Sequence, residues 1–233
     1  MDAVILVGGF GTRLRTVVSD VPKPMAIVCG KPFLEILLSR LVQSGINRII
    51  LSTGYKGEII KEYFGSSFCG AEVVYSHEKV ALGTGGAIYQ AVKYISSDYF
   101  FVFNGDTFFD FPIGKFLSDE SFKRKNVIFS KIVKENSRYG SIIEHNDKVL
   151  GFLPKSETLR ENDLINAGCY FLSREVFTIL KPQSNTFSFE LDYLPKLIEK
   201  TDFCCYKDSG LFIDIGVPED YALAQSLLKK YVK

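Results

Sequence analysis

The chain has 233 residues, 46% hydrophobic and 24% charged, with a formal net charge of +1. That length and apolar content suffice for a substantial core and exclude a disordered chain. The near-zero charge balance gives no general attraction to nucleic acid or to an anionic membrane, so any phosphate must bind at a local site.

The elements alternate from the start. Residues 3–7 form an apolar run that ends in glycines, which predicts a parallel strand buried on both faces. Residues 33–45 have helical periodicity and a glycine stop. Residues 48–53 read as the next strand, 57–65 as the next helix and 72–76 as a third strand. A helix over about 84–94 and a strand over 99–104 follow. The second half is less regular. Strands are expected at 126–133 and 164–172, with a hairpin over 140–153 turning at Asn146-Asp147. A helix is expected over 190–200 despite Pro195, then a strand at 211–215 and a closing helix from about Pro218. The fold class is therefore α/β, Rossmann-like. A mixed, mostly parallel sheet is flanked by helices and extended by antiparallel pieces in the second half, in one domain over residues 1–233. Ligands of such sheets bind beyond the carboxyl ends of the strands, here the loops after Val7, Ser76 and Asn104.

The five cysteines, Cys29, Cys69, Cys169, Cys204 and Cys205, include no C-x-x-C pair and read as small apolar residues, not as a disulfide or zinc framework. The opening "MDAVILVGGF" lacks a basic leader, and no apolar run approaches the ~20 residues that span a bilayer. The expectation is a cytoplasmic protein without a membrane partner.

Four places carry chemistry. In "LVGGFGTRLR", beginning at Leu6, glycines Gly8, Gly9 and Gly11 follow the first strand and let backbone N–H groups approach a phosphate. Thr12 adds a hydroxyl, and Arg13 a planar fork suited to phosphate oxygens. Lys23 stands between Pro22 and Pro24, which predicts a stiff, extended backbone presenting its ammonium. Asn104-Gly105-Asp106 puts a carboxylate at a strand's carboxyl end, and Asp214 lies between Ile213 and Ile215. A carboxylate in such apolar surroundings needs a cation or hydrogen bonds, and Mg²⁺ takes one or two carboxylates together with waters and phosphates. Glu78 follows the third strand. It can accept from the N1–H and N2–H of guanine, or from the N3–H of uracil or thymine. Asp110, Glu219 and Asp220 read as turn or helix-start acids, and His77 and His145 as incidental.

The order G-G-x-G-T-R-L, K-P-M, K-P over residues 6–31 resembles the signature of the sugar-1-phosphate nucleotidyltransferases. The resemblance continues in "LGTGGA" (82–87), "NGD" (104–106), "NAGCY" (166–170), "FSFE" (187–190) and "DIGVPEDY" (214–221). It implies a GT-A-like nucleotidyltransferase fold, with residues 1–112 mainly holding the nucleotide and 126–217 mainly the sugar phosphate. It implies that Leu6, Gly8, Gly9, Gly11, Thr12, Arg13, Lys23, Glu78, Gly83, Thr84, Gly105 and Asp106 contact the nucleotide, with Arg13, Lys23 and Asp106 catalytic. Gly140, Lys155, Asn166 and Glu190 would contact the sugar phosphate, although Pro154 replaces the family's glutamate beside Lys155. Mg²⁺ would bind Asp106 and Asp214. The finer motifs are most similar to guanylyltransferase members, which implies GTP and a sugar 1-phosphate as partners and no nucleic acid. Monomer and homodimer both stay open. No C-terminal β-helix or cupin-like domain is expected. Other readings are a different triphosphate and sugar within the family, a metal-dependent glycosyltransferase, and a nucleotide-sugar sensor without catalysis. The second would normally carry D-x-D where Asn104-Gly105-Asp106 stands. The intact Arg13, Lys23, Asp106 and Asp214 argue against the third.

Overall fold

Continuous burial shapes the central strands. The computed structural model describes residues 1–11, 14, 18, 20–136, 139–153 and 160–232. The first half runs β1 (Asp2–Leu6), β2 (Ile27–Val28), β3 (Lys31–Pro32), α1 (Phe33–Gln43), β4 (Arg48–Thr53), α2 (Gly57–Phe64), β5 (Ser67–Phe68), β6 (Ala71–His77), α3 (Gly83–Ala91) and β7 (Tyr99–Asn104). It continues through β8 (Thr107–Phe109), α4 (Ile113–Ser118), β9 (Asn126–Asn136), β10 (Ser141–His145), β11 (Lys148–Leu153) and β12 (Arg160–Ser173). The chain closes with α5 (Val176–Ile179), α6 (Leu194–Ile198), β13 (Phe203–Asp208), β14 (Phe212–Asp214) and α7 (Pro218–Leu227).

Ten of the strands form one sheet in the order β10-β11-β13-β9-β12-β7-β1-β4-β6-β5. Its centre, β7-β1-β4-β6, is parallel throughout. β12 runs antiparallel to both β7 and β9, and β10–β11 is a hairpin. The hairpin turns at Asn146 and Asp147, both with positive φ (49° and 61°), the conformation that matches strand twist.

The central strands are apolar on both faces because each face has its own core. Ala3 and Ile5, Ile49 and Leu51, and Phe101 and Phe103 pack into one cluster; Val4, Ile50, Phe100 and Val102 pack into the other. In the first cluster Phe101 lies 4.8 Å from Phe171, 5.8 Å from Phe116 and 6.0 Å from Phe129, ring centre to ring centre. Phe101→Ala should therefore cost about 3–5 kcal/mol in urea denaturation. A loss below ~1 kcal/mol would contradict this packing.

Three of the details that differ from expectation bear on the site and its setting. The Pro22-Lys23-Pro24 segment is not extended: Lys23–Met25 is a 3₁₀ turn, with Met25 N–H bonding Pro22 O and Ala26 N–H bonding Lys23 O. The expected helix over 190–200 is split. Phe189–Tyr193 is a π-helix, and α6 follows. Pro195 has no N–H to return, and the preceding Leu194 N–H reaches back five residues to Phe189 O. The strand β13, parallel to β9 inside the sheet, was not expected at all. Its buried Phe203 and Cys205 alternate with less buried neighbours, but Lys207 and Asp208 make its end look like a loop.

Candidate active site

Strand order fixes where the loops meet. From β1 the sheet grows outward through β4 and β6, then returns to the other side of β1 as β7. The loops leaving β1 and β7 diverge at this reversal, where α/β sheets open a ligand crevice. A cleft of about 440 Å³ opens there. It brings together Leu6, Gly8, Gly9, Gly11, Lys23, Glu78, Gly83, Thr84 and Asp106 from the sequence-derived set, with Val7, Phe10, Pro24, Ala81, Ala87, Asn104 and Gly216. Gly105 is tied to the first loop by its N–H bond to Leu6 O (2.9 Å). Arg13, Thr12 and Lys155 lie outside the described residues.

Lys23 is the charged centre. Its side chain is only 9% exposed, so its ammonium needs compensation. Nζ lies 2.5 Å from Asp106 Oδ2 and 3.8 Å from Asp214 Oδ1. Asp106 comes from the end of β7. Asp214 ends β14, which among the described residues pairs with β8 outside the main sheet, so the expected apolar strand is a three-residue piece. Gly216 explains the D-x-G spacing. Its N–H donates to Asp214 Oδ1 at 2.7 Å, and a Cβ there would lie 2.8 Å from that oxygen and 3.2 Å from Lys23 Nζ. Among the described residues no cluster of three or more metal-ligating side chains occurs. Two carboxylates converging on one cation nevertheless suit Mg²⁺, which takes one or two and fills its shell with water and phosphate oxygens.

Glu78 lines the same cleft with its carboxylate against Gly8, where a Cβ would lie 2.7 Å from Oε1. Its Oε1 accepts from the Ser52 hydroxyl (3.3 Å) and its Oε2 from Leu82 N–H (3.0 Å). Burial pushes its carboxyl above the ordinary value of 4.5, and these hydrogen bonds oppose that only in part. Asn104 Oδ1 is buried without a hydrogen-bond partner among the described residues, an acceptor in the cleft wall that the sequence did not single out.

Beyond the cleft lies a polar chain. Thr84 Oγ1 donates to Glu190 Oε2 (2.6 Å) and accepts from Phe189 N–H (2.8 Å). The Tyr170 hydroxyl donates to Glu190 Oε1 (3.3 Å) and accepts from Asn166 Nδ2 (2.8 Å). Asn166 Oδ1 accepts from Gly168 N–H at a bulge between β12 and β9. The glycines after Thr84 serve this contact. A Cβ on Gly85 would lie 2.2 Å from the Phe187 ring, so the close approach there is made by the 185–187 segment. Gly140 lies elsewhere, beside Leu153 O. Tyr170 was missed because a fully buried tyrosine looks like core in a sequence. Asp110, expected in a turn, pairs with Arg40 (2.7 Å) and Tyr231. Burial pushes its carboxyl up, but Tyr231 and Arg40 outweigh that and hold it below its ordinary value.

Known proteins share this arrangement of fold and sequence. The chain is 41% identical over all 233 residues, 100% of each chain, to D-glycero-alpha-D-manno-heptose 1-phosphate guanylyltransferase of Aneurinibacillus thermoaerophilus. It is 42% identical to the protein of the same name from Campylobacter jejuni, over 95% of this chain and 97% of that one. The crystal structure of HddC from Yersinia pseudotuberculosis is 40% identical and superposes with a TM-score of 0.85, covering 99% of both chains; its complex with GMP-PN gives 0.82 at 41% identity, over 96% of this chain and 97% of that one. Residues 2–230 match the Nucleotidyl transferase model, and the chain belongs to that family.

Proposed function

We propose that this enzyme joins GTP to D-glycero-α-D-manno-heptose 1-phosphate, releasing pyrophosphate and forming GDP-heptose for bacterial surface polysaccharide such as capsule, lipopolysaccharide or S-layer glycan. The observation that carries the reading is the Lys23 ammonium, seated between Asp106 and Asp214, in the lining of a glycine-rich cleft. The base and sugar rest on the full-length relatives. A cytoplasmic location, where nucleoside triphosphates are available, goes with it.

The substrates are two polyanions, so catalysis is mainly positioning and charge neutralisation. A phosphate oxygen of the sugar 1-phosphate bonds to the α-phosphorus of GTP while the bond to the bridging oxygen breaks, and pyrophosphate leaves with that oxygen. Backbone N–H groups around Gly8, Gly9 and Gly11 hold the triphosphate. Lys23 stabilises charge that develops at the α-phosphorus, and Arg13 adds charge along the triphosphate. Lys155 seats the sugar phosphate. Asp106 and Asp214 would hold Mg²⁺, which supplies further neutralisation of the phosphates when bound.

Glu78 reads the base in this scheme, accepting from guanine N1–H and N2–H. Glu78→Gln should shrink the kcat/KM preference for GTP over ITP, which lacks the 2-amino group, from about tenfold or more to near unity. An unchanged preference would remove Glu78 from base recognition. The same substitution tests the carboxyl's burial. A carboxyl raised in the folded state stabilises least when ionised, so wild-type stability falls as pH rises past 4.5 toward the folded value. Glu78→Gln should therefore melt higher than wild type at pH 7, and the gap should close below about pH 4. A gap that widens on acidification would contradict the sign.

A further inference from the structure

We infer that the Thr84 hydroxyl positions the sugar side of the site and is not a nucleotide ligand. The inference rests on the transfer reading above. Thr84 lines the nucleotide cleft, yet its hydroxyl is already committed. Its one proton goes to Glu190 Oε2 at 2.6 Å, and its oxygen takes the Phe189 N–H at 2.8 Å. A hydroxyl has a single donor, so Thr84 can donate to a nucleotide only by releasing Glu190.

The same count defines what Glu190 has left. Its carboxylate has about four acceptor sites. Among the described residues Thr84, Ser188 (3.3 Å) and Tyr170 (3.3 Å) take three of them and leave one for a ligand hydroxyl. Tyr170 is fully buried and passes the constraint to Asn166 Nδ2 (2.8 Å), whose second N–H makes no hydrogen bond among the described residues. Thr84 stands at the start of α3, directly after the loop that carries Glu78. The hydroxyl thus joins the base-side loop to an acceptor and a donor on the sugar side, and it fixes Glu190 within a π-helical turn that its own backbone leaves irregular. The joined pair recognises vicinal hydroxyls of the sugar.

Three variants, Thr84→Val, Thr84→Ser and Tyr170→Phe, test this. Thr84→Val keeps the shape and loses the donor, and Thr84→Ser keeps the donor. GTP affinity is read by calorimetry with the non-hydrolysable analogue, and turnover by pyrophosphate release at varied sugar 1-phosphate. The expected result for Thr84→Val is analogue affinity within about twofold of wild type and KM for the sugar phosphate raised about tenfold or more, with kcat less affected. Thr84→Ser should return KM to within about threefold, and Tyr170→Phe should raise it in the same direction. Loss of analogue affinity in parallel with the KM change would make Thr84 a nucleotide ligand and overturn the inference. So would a Thr84→Val enzyme with unchanged KM. Wild-type protein that released no pyrophosphate with any sugar phosphate would overturn the transfer reading, and the sugar role of Glu190 with it. An active wild type with either Thr84→Val failure overturns the positioning role alone.

Discussion

Lys23→Met should slow pyrophosphate release by about 10²–10³, equivalent to ~3–4 kcal/mol of transition-state stabilisation, while the protein stays folded. Both halves of that expectation come from geometry. The ammonium lies 2.5 and 3.8 Å from the two carboxylates, and methionine keeps its stem without its charge. The turn that carries it is held by backbone bonds that the substitution does not touch. Removing one partner of a fully buried ion pair costs about 3–5 kcal/mol of stability. Here Asp106 is 34% exposed and Asp214 is 19% exposed and keeps the Gly216 N–H, so water and backbone share the load. The stability loss should fall well below that range. Single-turnover kinetics and a thermal melt check the two statements separately. Near-normal turnover in a folded Lys23→Met protein would remove the residue from catalysis.

Asp106→Asn should be comparably damaging, again by about 10²–10³ in kcat, and should raise the Mg²⁺ concentration needed for half-maximal rate. The substitution is nearly isosteric. It removes the negative charge that faces Lys23 and would hold the metal, and it spares the apolar end of β7 around it. Because the two side chains touch, their effects should not multiply. The Lys23→Met/Asp106→Asn double variant should be about as slow as the slower single variant, as for residues that act as one unit. Rates that fell by the product of the two single effects would separate them into independent functions. An Asp106→Asn enzyme with unchanged metal dependence would move the metal elsewhere.

The parallel half of the fold was legible because its strands obey one simple rule. β4 and β7 begin and end where the apolar runs do, since burial on both faces leaves polar residues only at the ends. The hairpin at Asn146-Asp147 was legible because its turn residues tolerate the left-handed backbone found there. β13 was hidden by Lys207 and Asp208, and the π-helix by the fact that no residue pattern signals an i to i+5 register. Prolines were read too literally at Lys23. They restrict φ and favour extension, but burial of Pro24 and Met25 closes a turn. The site was legible as a set of residue types and much less so as a set of partners. Gly8, Lys23 and Asp106 could be named from motifs, and the cleft brings them together. Thr84 and Glu190 could both be named as well, but that they face each other, more than 100 positions apart, could not. Gly83 was expected beside the nucleotide and lines the cleft, whereas Gly85 of the same motif makes room for Phe187.

The most direct test is one matrix of purified protein with GTP, ATP, UTP, CTP or dTTP against the 1-phosphates of D-glycero-α-D-manno-heptose, mannose, glucose and N-acetylmuramate, each with and without Mg²⁺, reading released pyrophosphate. GTP with the heptose 1-phosphate should exceed every other pair by about tenfold or more in kcat/KM, and only with the metal present. A preference for UTP with glucose 1-phosphate would contradict the base and sugar assigned here, and no pyrophosphate from any pair would contradict the transfer itself.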